Sequence, residues 1–182
     1  NAGSLEKGLL DKCGGDLPKA MVESAKRHVE ILNRFDFDNI VLSMKSSNVA
    51  ATVRAYRLAS QTFDYPLHLG VTEAGTIKQG IVKSSVGIGS LLVDGIGDTI
   101  RVSLTDDPIL EVSAAKSILR ALDLDENYIE VVSCPTCART KIDLISIANA
   151  VNDAVEGINK NLKVAVMGLS LIHISEPTRR RG

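Results

Sequence analysis

Cysteine is scarce in this chain. There are three in 182 residues, an odd number, and two of them share one C-x-x-C spacing. That usage argues against a disulfide scaffold and fits a reducing cytosol, so a cytoplasmic location is expected. Net charge is nearly absent as well, at −1, which implies no general attraction to nucleic acid or to a membrane surface. Hydrophobic residues make up 45% of the chain, in runs far too short to span a bilayer. The opening Asn1-Ala2-Gly3-Ser4-Leu5 carries neither an initiator Met nor a secretory signal pattern, so the chain is expected to be a fragment that opens mid-protein. What is present suffices for a sizeable core and one or two domains.

Helix and strand patterns alternate. Asp16-Leu17-Pro18 starts a helix, with Asp as N-cap and Pro in the first turn. Its face carries Met21, Val22, Val29 and Leu32. Residues 39–45 read as a buried strand. Asn48 caps a second helix with Val49, Val53 and Tyr56 on one face. Strands are expected at 66–72 and 98–105, with a helix at 81–93 between them. In that helix Gly87 and Gly89 are costly unless they permit close packing. Asp107-Pro108 starts a helix to about Leu122, and the cap role accounts for Asp106-Asp107 without a metal. The polar run 123–127 links to a strand at 128–133. A helix with Leu144, Ala148, Val151, Val155 and Ile158 follows, then a strand at 163–167. Strands separated by single helices imply an α/β fold with a parallel sheet.

Lys45, Glu73 and Arg101 stand 28 residues apart each, at or near the ends of successive strands. In parallel α/β folds the carboxyl ends of the strands carry the site. A Lys, an Arg and a Glu on one rim suit a polyanion and one proton transfer. Alternation puts Arg101, Ser103 and Thr105 on the site face, and Ile100, Val102 and Leu104 on the other.

Cys134-Pro135-Thr136-Cys137 follows the apolar run Ile129–Ser133 directly. Two thiols on one tight turn after a strand suit a metal, an iron–sulfur cluster or a redox disulfide. Two thiolates are half a site, because zinc takes four ligands and a cubane cluster one for most or all of its irons. Strand, C-P-T-C, then helix is also the local layout of a thioredoxin-like dithiol, in which the helix N-terminus lowers thiol pKa. The remaining cysteine, Cys13, reads as an incidental thiol.

Four stretches in order carry a family resemblance. They are Gly70-Val71-Thr72-Glu73-Ala74-Gly75, Lys83-Ser84-Ser85-Val86-Gly87-Ile88-Gly89, Gly95 to Leu104, and Ser133-Cys134-Pro135-Thr136-Cys137, joined by the opening Asn1–Leu5 and Ser43-Met44-Lys45-Ser46-Ser47. From residue 1 to about Gly168 the chain resembles the 4-hydroxy-3-methylbut-2-en-1-yl diphosphate synthase family. These are iron–sulfur oxidoreductases of isoprenoid biosynthesis by the methylerythritol phosphate route. The resemblance implies that residues 1–124 are the later part of a TIM (β/α)8 barrel. Residues 128–168 would be the start of a small α/β domain carrying a [4Fe–4S] cluster. It implies diphosphate binding by Asn1, Lys45, Arg101 and Ser103, proton donation by Glu73, and cluster ligation by Cys134 and Cys137. His68 is expected to fill the barrel interior with its hydrogen bonds satisfied, a ligand role being the lesser alternative. The implied reaction reduces 2-C-methyl-D-erythritol 2,4-cyclodiphosphate to 4-hydroxy-3-methylbut-2-enyl diphosphate. Ferredoxin or flavodoxin would donate the electrons, and two chains would pair as a homodimer.

The chain departs from the family after Gly168. Leu169 stands where a third cysteine ligand is expected, and no N-G-P-G-E sequence with its ligating Glu follows. Residues 169–182 resemble translated adapter sequence and are expected to be non-native, so the three arginines Arg179–Arg181 are not read as a functional basic tail. The chain alone is expected to be inactive. The alternatives are a dithiol–disulfide oxidoreductase using Cys134 and Cys137, and a non-catalytic phosphate-binding half-barrel.

Overall fold

A computed structural model describes residues 1–134 and 142–168, and the backbone of 173–175. The chain divides into two compact units, Asn1–Leu122 and Asp123–Gly182. Both alternate helix and strand, and the fold is α/β.

The helices of the first unit begin where the local chemistry stops their orphan N–H groups from going unpaired. The Asp16 carboxylate accepts from the Lys19 N–H at 3.2 Å and opens α2 (Leu17–Asn33), which follows the single turn α1 (Leu9–Lys12). The Asn48 side chain accepts from Ala51 N–H at 2.9 Å and opens α3 (Val49–Thr62). Asp107 does the same for α5 (Pro108–Arg120), through Ile109 N–H at 2.9 Å. Each such cap is worth about 1 kcal/mol. Between them, α4 (Ile77–Val93) begins four residues earlier than its apolar pattern suggests. It ends in a Schellman turn: Ile96 N–H reaches Leu91 O at 2.9 Å and Gly95 N–H reaches Leu92 O at 3.0 Å, with Gly95 at φ 73°.

Extended segments run side by side between these helices, but regular ladders are short. Leu42 bridges Leu67 in parallel, and β1 (His68–Leu69) pairs in parallel with β2 (Thr99–Ile100). The long strands expected at 39–45, 66–72 and 98–105 are therefore extended chain with only brief ladders. Single hydrogen bonds carry the pairing further, from Thr72 N–H to Ser46 O at 3.3 Å and from Arg101 N–H to Leu69 O at 2.9 Å. Ala2 N–H donates to Lys45 O at 3.0 Å, which brings the opening residues beside the same segment.

Alternation sorts the two faces. Ile40, Leu42, Met44, Leu67, Leu69, Val71 and Val102 are buried, and most of them join the core with Met21, Tyr56, Ile88 and Leu91. Close packing depends on small residues. A Cβ on Gly87 would stand 2.7 Å from Val71 Cγ2, which accounts for that glycine, whereas Gly89 faces open space.

Gly97 is the tightest point. Its φ is 117°, and a Cβ there would lie 2.4 Å from Cδ1 of the fully buried Leu69. Gly97→Ala in the intact protein should therefore cost about 3 kcal/mol or more, combining left-handed strain with overpacking. Urea denaturation measures it; an unchanged midpoint would show that the Leu69 contact is not tight in solution.

In the second unit β3 (Ile129–Ser133) pairs in parallel with β4 (Leu162–Val166), and α6 (Leu144–Val155) connects them. Ile158 falls beyond the end of α6 and is not part of its stripe. Leu144 is buried, while Ala148, Val151 and Val155 are half-buried. β5 (His173–Ser175) pairs antiparallel with β4.

Candidate anion site at the strand ends

The register of the extended segments defines rows across the face opposite the helices. Leu42 aligns with Leu67 and His68 with Thr99. Continued along the face, one row is Ser43, His68, Thr99, and the next is Lys45, Gly70, Arg101. Thr72 and Ser103 follow.

In the second row the middle position has no side chain, and Lys45 uses the space. A Cβ on Gly70 would lie 2.9 Å from Lys45 Cε, 3.3 Å from its Nζ and 2.9 Å from the Arg101 carbonyl oxygen. The lysine thus crosses over Gly70 toward the Arg101 strand. Burial pulls the Lys45 amine below its usual pKa range, and the nearby Arg101 guanidinium adds to the effect. Two like charges lie close together, one of them partly desolvated.

The first row lies under this pair. His68 Nδ1 is 2.8 Å from Thr99 Oγ1. Burial lowers the imidazole pKa, and Lys45 and then Arg101 lower it further. The Tyr56 hydroxyl, fully buried on α3, donates to the His68 carbonyl, and Ser43 Oγ is 3.5 Å from the same hydroxyl. Burial raises the Tyr56 phenol pKa, so it stays a neutral donor.

Of the residues expected at the site, the structure brings Lys45 and Arg101 together. Ser103, half-buried, is two residues beyond Arg101 on the same face. Asn1 is exposed and is held near Lys45 through the neighbouring Ala2 N–H. Glu73 is exposed at φ 52°, a left-handed conformation uncommon for a side chain of its size. It has no hydrogen bond or ion pair among the described residues. The Asp107 cap is confirmed as such, and Cys13 lines a cleft with Leu9, Lys19 and Val22 on the helix side. Sequence alone favoured a core role for His68 over a ligand role and did not place it beside the two cations. The alternation His68, Gly70, Thr72 was the available signal.

In the second unit Cys134 follows β3 with an exposed free thiol, and its N–H reaches Val166 O at 3.3 Å. Cys137 and the rest of the C-P-T-C turn lie outside the described residues. Among the described residues no three His, Cys, Asp or Glu side chains gather as a metal site.

The first unit is a parallel α/β unit with Lys45 and Arg101 side by side at its strand ends. Family models narrow this further: the GcpE TIM-barrel domain matches residues 1–116, and the GcpE protein C-terminal domain matches residues 130–176. The chain belongs to the GcpE family. It is similar to three proteins named 4-hydroxy-3-methylbut-2-en-1-yl diphosphate synthase (flavodoxin). That of Clostridium tetani is 61% identical over 168 residues, which is 92% of this chain and 48% of the relative. That of Ruminiclostridium cellulolyticum is 55% identical over 171 residues, 94% and 48%. That of Thermodesulfovibrio yellowstonii is 52% identical over 171 residues, 94% and 49%. The chain spans about half the length of these relatives. Among the described residues no helix is long and apolar enough to cross a membrane.

Proposed function

We propose that this chain forms part of a 4-hydroxy-3-methylbut-2-en-1-yl diphosphate synthase acting in the cytoplasm. The intact protein reduces 2-C-methyl-D-erythritol 2,4-cyclodiphosphate by two electrons to 4-hydroxy-3-methylbut-2-enyl diphosphate. The observation that carries this reading is the Lys45–Gly70–Arg101 row, a two-cation clamp at the strand ends. Residues 1–124 act as the later part of a TIM barrel and 128–168 as the start of the cluster domain; 169–182 read as a non-native tail, although the C-terminal family model matches on to residue 176.

Each side chain then has a task. Arg101 takes diphosphate oxygens bidentately and Lys45 adds a compact charge. Ser103 and Asn1 supply neutral polar contacts. Glu73 delivers a proton to the departing oxygen or to the reduced carbon. An exposed, unpaired thiol at a strand end fits cysteine ligation, so Cys134 with Cys137 would hold a [4Fe–4S] cluster. They supply only two of the ligands it needs. When bound, the cluster supplies electrons one at a time. Flavodoxin feeds it, as the names of the relatives suggest, and two chains pair as a homodimer.

The test uses the intact protein, prepared anaerobically and assayed with reduced flavodoxin. The diphosphate product should form, and Cys134→Ser should abolish both iron loading and turnover. Arg101→Ala should raise KM by about tenfold or more, the loss of a hydrogen bond to a charged group. A protein that binds only zinc and leaves the cyclic diphosphate unchanged would overturn the reading.

A further inference from the structure

We propose that His68 is a third ligand-facing group of this anion site, with Thr99 holding Nδ1 so that the imidazole offers an Nε2–H donor beneath Lys45 and Arg101. The inference rests on the phosphate-binding reading above and adds a residue to it.

The geometry is a layer argument. His68 lies in the row next to the clamp, on the same face as Lys45 and Arg101, because each is two residues from its neighbour along an extended segment. Its backbone is fixed from behind by the Tyr56 hydroxyl on the His68 carbonyl. Its ring is fixed from the side by Thr99 Oγ1, 2.8 Å from Nδ1. A hydroxyl that donates to Nδ1 leaves the one ring proton of a neutral imidazole on Nε2. No described residue accepts from Nε2. A donor left without a protein partner beside the clamp is available to whatever the clamp holds.

The electrostatics agree. The charged groups around the ring are the cations Lys45 and Arg101, while Ser43, Thr99 and Tyr56 are neutral. Burial, then Lys45 and Arg101, favour the neutral ring. A bound phosphate offsets those cations, so it should raise the proton affinity of the imidazole. A histidine that merely filled space would not sense the anion in this way.

The probe is inorganic pyrophosphate, titrated into the intact protein by calorimetry, with the His68 ring nitrogens followed by NMR. The wild type should bind and Arg101→Ala should weaken binding. His68→Phe should weaken it by about tenfold, the scale of one hydrogen bond to a charged acceptor. His68→Gln keeps a donor near the Nε2 position and should stay within about threefold of wild type. In the unmodified protein the ring should be the Nε2–H tautomer, and its titration midpoint should move up on adding pyrophosphate. That measurement needs no variant, so a misfolded His68→Phe does not decide the matter. If pyrophosphate binds and depends on Arg101 while the His68 midpoint stays still, the His68 inference is wrong and the clamp survives. If wild type binds no better than Arg101→Ala, the clamp itself is wrong and His68 falls with it.

Discussion

Glu73→Gln in the intact protein should cut turnover by about a hundredfold or more, the usual worth of a positioned general acid, while KM for the cyclic diphosphate changes little. Gln keeps the size, the acceptor oxygen and the backbone demand of Glu73 and removes only its acidity. The backbone demand is unusual. Glu73 sits at φ 52° at the end of its extended segment, where a left-handed residue other than Gly costs about 1–2 kcal/mol. Strain of this kind concentrates where a side chain must be aimed. Glu73→Gly should accordingly raise thermal stability slightly while destroying turnover. Stability and activity moving in opposite directions would separate an aimed side chain from an accidental one. Near-normal turnover of the Gln variant would remove Glu73 as the acid.

Gly70→Ala should weaken pyrophosphate or substrate binding by about ten- to a hundredfold, the range of one lost contact to a charged group. The added methyl meets Lys45 Cε and the Arg101 carbonyl oxygen, both at 2.9 Å. The carbonyl belongs to paired backbone, since Arg101 N–H bonds Leu69 O at 2.9 Å. The lysine is the part that yields, and it swings out of the clamp. Lys45→Ala should give a similar loss. The double variant should be little worse than either single one, because both remove the same interaction. Additive losses would show that Gly70 acts on something other than Lys45.

Much of the fold was legible because it is local. Asp16, Asn48 and Asp107 announced their helices, and each caps as its chemistry requires. The face of Ile100, Val102 and Leu104 followed from alternation, and Val102 is buried as expected. Strand extent was less legible, because a ladder depends on a partner far along the chain. Residues 39–45 are apolar enough for a strand, yet regular pairing there is one bridge, Leu42 to Leu67. The start of α4 at Ile77 was missed because Thr76 precedes it without the side-chain cap that marks the other helices. The 28-residue spacing exposed Lys45 and Arg101 as partners. It said nothing of His68, whose position depends on strand register rather than on periodicity. A glycine at position 70 signals close approach, but not that a lysine from the neighbouring segment fills the space.

The crossing of Lys45 over Gly70 has a consequence for handling the protein. On the proposed reading, small multivalent anions from any buffer compete for the Lys45–Arg101 pair. Sulfate or phosphate should protect against heating more than chloride at equal ionic strength, and should also inhibit. Salt dependence of the intact protein should then report occupancy of a particular place, not general shielding. Kinetic constants measured in phosphate and in a bulky zwitterionic buffer should differ most where ionic strength is lowest.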